Sequence, residues 1–144
     1  MVEVLIAGIL LASALAAVSR ISVAALSGSA RLSDRARIEA AINDNIQTMQ
    51  KEDSYFTDAW IIKNGGESAL QSACLNPTEA LSNHLKSVAP EPRLAAITRS
   101  FDISSVPGIL QIVYSFEGPE RQITVEKRII EMTPNFAAKC YSMQ

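Results

Sequence analysis

Residues 4–18 read VLIAGILLASALAAV, fifteen consecutive positions without a charge. A helix of that length spans ~22 Å at ~1.5 Å per residue, short of the ~30 Å hydrocarbon core of a bilayer. Residues 1–3 extend it on one side. On the other, Ile21, Val23, Ala24, Ala25 and Leu26 continue the apolar character beyond Arg20, whose guanidinium can snorkel while its stem stays on apolar surface. The rest of the chain differs sharply. Residues 1–19 hold 15 of the 69 hydrophobic residues and a single charge, Glu3, whereas the other 125 residues hold 54 hydrophobic residues and 27 of the 28 charges. The chain therefore reads as one ordinary domain with a real core behind a greasy N-terminal segment. Its 144 residues exclude a multidomain enzyme, and its 48% hydrophobic content excludes a disordered chain. The balance of 13 basic and 15 acidic residues argues against nucleic acid as the main partner.

Three readings of the segment compete. A secretory signal peptide fits the length of the apolar run, and Ala14-Leu15-Ala16 resembles a small-x-small cleavage site, which predicts a mature terminus near Ala17. Against it, the basic n-region is missing and Glu3 stands in its place. A buried core helix is the second reading. The third is a membrane or assembly helix, for which Glu3 is the informative residue. A carboxylate at the lip of an apolar helix is expensive to bury unless something pairs with it. Either it lies at an interface or against the chain's own α-amino group, or it reserves a place for a cation from another subunit.

The stretch Met1-Val2-Glu3-Val4-Leu5-Ile6-Ala7 resembles the mature start of type IV pilins and type II secretion pseudopilins, which begin Phe-Thr-Leu-x-Glu and continue into an apolar run. The likeness covers residues 1–25. It implies that Glu3 holds the place of the family's acidic residue, which pairs with a neighbour's N-terminal amine in the filament. It also implies a prepilin leader peptidase that N-methylates the new terminus, an assembly ATPase system and sister subunits as partners. Phe-Thr and the family's short basic leader ending in Gly are not in this sequence. The expectation is that upstream codons encode a basic leader, a Gly and Phe-Thr or similar.

Beyond the segment, no proline precedes Pro77, and residues 20–49 are good helix formers. Leu32, Ile38, Ala41, Ile42, Ile46 and Met49 recur at three- and four-residue steps, as one buried stripe does, with Arg35, Glu39, Asp44 and Lys51 opposite. The spacing predicts one helix from the N-terminus to about Glu52, ~78 Å long. The remaining ~90 residues make a head with a radius of gyration of ~12 Å, so the first half of the helix must project and the second half must lie on the head. Ser27-Gly28-Ser29 is the weak point, and the sequence leaves open whether the helix runs straight through it, kinks there or restarts with Ser33 as cap. Residues 53–75 read as a partly buried connector with a turn at Asn64-Gly65-Gly66. Asn76-Pro77-Thr78-Glu79 reads as a helix start, Asn as cap and Pro at the first position, with the helix ending near Val88 before Pro90 and Pro92. The period then changes to two: Ala95, Ile97, Phe101 and Ile103, then Leu110, Ile112, Tyr114 and Phe116, then Ile123, Val125 and Ile129, with Lys127 interrupting as a bulge. Ser104 to Gly108 and Glu117-Gly118-Pro119-Glu120 are the turns of a three-stranded antiparallel meander. The fold class is α+β, a long protruding helix packed by its C-terminal half on a small antiparallel sheet. This is similar to the pilin fold. Residues 1–26 form the membrane or filament-core segment and residues 27–144 the rest of the helix and the head.

Cys74 and Cys140 are the two cysteines, and no Cys/His spacing suits zinc. In a head placed outside the cytoplasm they read as a disulfide, which the resemblance supports; two separate buried thiols are the alternative. His84, the one histidine, reads as a surface residue within a helix, without a triad around it. Glu52-Asp53 reads as a solvated helix end, and Ser27-Gly28-Ser29 lacks the strand and Lys of a phosphate loop. Arg99, Arg121, Lys127 and Arg128 fall on neighbouring predicted strands and read as solvating charges on an exposed sheet face. No catalytic residue, metal or cofactor is assigned, and no enzyme activity is expected. The reading is a pilin-like structural subunit, held in the bacterial inner membrane with its head in the periplasm and polymerised into a type IV pilus or a type II secretion pseudopilus. The alternative is a single-pass anchored periplasmic binding domain that never polymerises.

Overall fold

The computed structural model describes residues 2–119 and 125–141, with side chains from residue 6 onward. Chain order is α1 (Val2–Tyr55), α2 (Asp58–Leu75), α3 (Pro77–Val88), β1 (Ile97–Asp102), β2 (Leu110–Phe116), β3 (Glu126–Met132) and α4 (Ala137–Cys140). The chain forms two compact units, Met1–Arg37 and Ile38–Gln144. The expected strands β2 and β3 surround residues 120–124, so Arg121 and Ile123 lie outside the described residues.

In the first unit, α1 passes through Ser27-Gly28-Ser29 as helix, without a break there or a new start at Ser33, which settles the point the sequence left open. A helical Gly costs only about 1 kcal/mol against Ala, too little to stop a helix with strong formers on both sides. The Ser27 hydroxyl donates to the Ala24 carbonyl at 2.9 Å, so it does not compete for the chain's direction. Leu32 is no part of a buried stripe: it is 71% exposed, in a unit where every described apolar side chain of the helix stays uncovered.

In the second unit, the stripe on α1 is real. Ile42 and Met49 are fully buried, and Ile38, Ala41 and Ile46 pack against the same core. The helix runs three residues past Glu52, to Tyr55. The expected connector is helical as well. Thr57 caps α2, its hydroxyl accepting from the Trp60 amide at 3.2 Å, and Ile61, Leu70 and Ala73 face inward. The Asn64-Gly65-Gly66 signal appears inside α2 as a local break at Gly66, with φ 79° and ψ −179°, a conformation open to Gly at little steric cost. At Gly65 a Cβ would sit 2.6 Å from the Ala69 Cβ.

α3 begins with Pro77 at its first position and ends at Val88, before Pro90, as its sequence implies. Asn76 occupies the cap position but makes no side-chain cap bond; its carbonyl accepts from the Ala80 amide. The sheet is antiparallel, in the order β1-β2-β3. Central β2 alternates cleanly, burying Leu110, Ile112, Tyr114 and Phe116. β1 starts at Ile97, and Ala95 is exposed in the turn before it. β3 runs in unbroken register with β2, from Leu110↔Met132 to Phe116↔Glu126, so there is no bulge at Lys127. That register turns Ile130 and Met132 to the core beside Ile112 and Leu110, and leaves Val125 and Ile129 more than half exposed. A period of two has two phases. The cross-strand partners chose the one opposite to the sequence reading.

Candidate functional site

The first unit carries a surface that no core explains. Ile9, Leu15, Ile21 and Leu26 are each more than 60% exposed. The helix is long and apolar enough to cross a membrane. Two of its hydroxyls bond back to the helix backbone: Ser13 donates to the Leu10 carbonyl at 2.8 Å, and Ser27 to the Ala24 carbonyl at 2.9 Å. A hydroxyl satisfied on its own helix costs little in an apolar medium. Glu3 lies in the first turn of α1, and its side chain lies outside the described residues. Arg20 is exposed and makes no hydrogen bond or ion pair among the described residues.

The second unit shows what the head's polar and aromatic residues do. Cys74 in α2 and Cys140 in α4 form a disulfide, with Cα atoms 5.4 Å apart, and no free cysteine is left. Arg99 corrects the sequence reading. It lies on the inner face of β1, opposite Tyr114, with its side chain 1% exposed. Its Nη1 donates to Asn45 Oδ1 at 3.1 Å and the Pro90 carbonyl at 2.9 Å; its Nη2 donates to the Ala89 carbonyl and to Glu91, both at 3.2 Å. It also lies 5.2 Å from the Phe101 ring centre. Asn45 gathers the network, accepting from the Tyr114 hydroxyl at 2.9 Å and donating to Pro90 at 2.9 Å. Burial pushes the Tyr114 hydroxyl up to about 12, against the pull of the Arg99 charge. The network ties α1, β1, β2 and the segment after α3 together. Arg128 also points to the inner side, pairing with Glu39 at 3.5 Å, while Lys127 alternates to the outer face. Among the described residues, Arg99, Lys127 and Arg128 therefore do not share one exposed face.

His84 is the second correction. It stacks on Phe56 with ring centres 4.1 Å apart and 10° between planes, and meets Trp60 edge-on at 5.0 Å. Phe136 closes the cluster against Phe56. The His84 Nε2 is buried without a hydrogen-bond partner, and desolvation lowers its pKa despite the opposing charge of Glu52. Asp53 is no simple solvated end: partial burial raises its pKa, although it accepts a bond from the Asn135 amide. At the edge of β1, Asp102 accepts from the amides and hydroxyls of Ser104 and Ser105, which hold its carboxyl far below the usual range. These bonds stay within one turn and shape the loop.

No family model, curated protein or solved structure matches this chain.

No cluster of His, Cys, Asp or Glu able to hold a metal occurs among the described residues. The buried polar groups that sequence reasoning missed, Asn45 and Arg99, are structural in their contacts. Asn45 had one usable signal, its place between Ala41, Ile42, Ile46 and Met49 on the buried stripe. What stands apart is the apolar face of α1, with Arg20 within it.

Proposed function

We propose that the protein is a pilin-like structural subunit, stored in the bacterial inner membrane and polymerised into a type IV pilus or a type II secretion pseudopilus. The observation that carries the reading is the exposed apolar half of α1 in a chain whose other unit is a disulfide-closed α+β head. In the bilayer, a helix satisfies its backbone internally. On extraction, other apolar helices replace the lipid, so that the same surface serves storage and polymer core. Glu3 sets the register, because a charge in that core must find a cation. The role is structural and non-catalytic; the leader peptidase, assembly machinery and sister subunits are the partners.

The disulfide supports a periplasmic head, since such bonds persist in oxidising compartments. Arg31, Arg35 and Arg37 follow the apolar run, and the positive-inside bias alone would draw that flank to the cytoplasm. The disulfide outweighs that bias in this reading, because the cytosol would keep both thiols reduced. The test is Glu3→Leu in the full chain. Membrane insertion should persist while incorporation into filaments falls. Normal incorporation would refute the register role of Glu3. A chain that stays membrane-bound and yields no polymer even as wild type would be the anchored, non-polymerising domain.

A further inference from the structure

Arg20 is the one charged residue between Val4 and Ala30, and Arg31 follows it 11 residues later. Both are exposed on α1 without a partner among the described residues. Eleven residues leave a helix turned by ~20° beyond whole turns and raised by ~16 Å. The two cations therefore stand on one face, one above the other. Ser13 and Ser27 lie seven residues either side of Arg20 on that face, and their hydroxyls are spent on the carbonyls of Leu10 and Ala24. Ala16, Ala17 and Ala24 border the Arg20 stem and offer it no bond.

A bilayer supplies the missing partner, and lengths decide the depth at which it does so. With Arg31 at the hydrocarbon boundary, the 27 residues of Val4 to Ala30 put ~40 Å of helix into a ~30 Å core. Arg20 then lies ~16 Å deep, near the mid-plane, where a cation is most costly. Its side chain is too short to climb back, and helical side chains lean towards the N-terminus, away from that boundary. With Arg20 at the boundary instead, Val4 to Ser19 fill ~24 Å of the core. The headgroup layer, ~5–7 Å thick, takes up Ile21 to Ala24. Past Leu26 the chain is Ser27-Gly28-Ser29-Ala30, small and polar enough to stand in water.

We propose that Arg20 docks on the phosphate layer of an anionic bilayer, on the C-terminal side of the span, and so fixes α1 at the shallower depth with Ile21 to Ala30 outside the hydrocarbon. This rests on the membrane-stored part of the reading above and names the residue that sets its depth. The guanidinium suits the role because its fork of donors matches phosphate oxygens in a charge-assisted, bidentate geometry. Arg31, ~16 Å further out, is the stop that α1 would reach if Arg20 were neutral.

The test inserts the purified full chain into preformed vesicles of phosphatidylethanolamine and phosphatidylglycerol. Leu15→Cys, Val23→Cys and Leu26→Cys each supply a single free thiol, since Cys74 and Cys140 are bonded to each other. A membrane-impermeant maleimide added outside reads their depth. With Arg20 in place, Val23→Cys and Leu26→Cys should react and Leu15→Cys should be protected. Adding Arg20→Leu should let the helix sink towards Arg31 and slow the labelling of Val23→Cys about tenfold or more, because the penalty on a mid-bilayer charge is gone. Arg20→Lys, which keeps the charge, should leave Val23→Cys reactive. Protection of Val23→Cys with Arg20 present, or labelling unchanged by Arg20→Leu, would overturn the depth assignment while a protected Leu15→Cys still reported a spanning helix. A chain that stays in solution, or one bound to vesicles with Leu15→Cys as reactive as Val23→Cys, would overturn the membrane reading and this inference with it.

Discussion

Asn45→Leu should unfold the head far more readily than its size suggests. Asn45 is 5% exposed and makes three bonds: it accepts from Tyr114 at 2.9 Å and Arg99 at 3.1 Å, and donates to Pro90 at 2.9 Å. At about 1 kcal/mol net for each bond, their loss comes to about 3 kcal/mol. The Tyr114 hydroxyl is left buried without an acceptor, which adds about 1–3 kcal/mol, and the extra apolar burial of Leu returns about 1 kcal/mol. The net expectation is about 3–5 kcal/mol, a large share of a domain's stability. Tyr114→Phe removes one hydroxyl and leaves Asn45 Oδ1 bonded to Arg99, so it should cost only about 1 kcal/mol. Urea unfolding of the full chain in detergent, followed by fluorescence of the sole tryptophan Trp60, reads both variants. The reasoning fails if Asn45→Leu costs no more than Tyr114→Phe, because the network would then not depend on Asn45.

Three further outcomes are expected. Reduction, or Cys74→Ser with Cys140→Ser, should lower stability by about 4 kcal/mol, because the bond closes a 66-residue separation in the chain-entropy description; unchanged gel mobility on reduction would contradict the bond itself. Acidification from pH 7 to below 6.5 should destabilise the head through His84. Its folded pKa is lowered from 6.5, so the unfolded chain takes up the proton first and stability falls with pH through that window. A pH titration of unfolding midpoints for wild type and His84→Phe checks this, since the variant should lose that part of the slope. Gly66→Ala should cost about 1 kcal/mol or more at its positive φ, read as a lower urea midpoint with an unchanged slope.

Much of the fold was legible because it follows from local periodicity. The change from three- and four-residue steps to steps of two separates α1 from the sheet, and Pro77, Pro90 and Pro92 bracket α3. The misreadings share a cause. Ile129 and Val125 were placed by alternation, yet alternation cannot say which phase faces the core; pairing of Met132 with Leu110 and Ile130 with Ile112 does. Arg99 and His84 were read as exposed because charged and polar residues usually are. Arg99 enters the core only because the backbone carbonyls of Ala89 and Pro90, turned back on it by the segment after α3, converge there with Asn45, which is 54 residues away in sequence. Residues 58–75 were read as a connector, yet helix forms on both sides of the break at Gly66, with Ile61 buried before it and Leu70 and Ala73 after it.

By itself, then, the sequence determined the apolar segment, its two charges Glu3 and Arg20, the long helix and the order of the later elements, since each depends on neighbours within a few residues along the chain. Tertiary structure alone decided the phase of β3, the burial of Arg99 beneath Asn45 and Tyr114, and the stacking of His84 on Phe56. Those outcomes depend on groups brought together from far apart in sequence, whose desolvation and pairing no local pattern records.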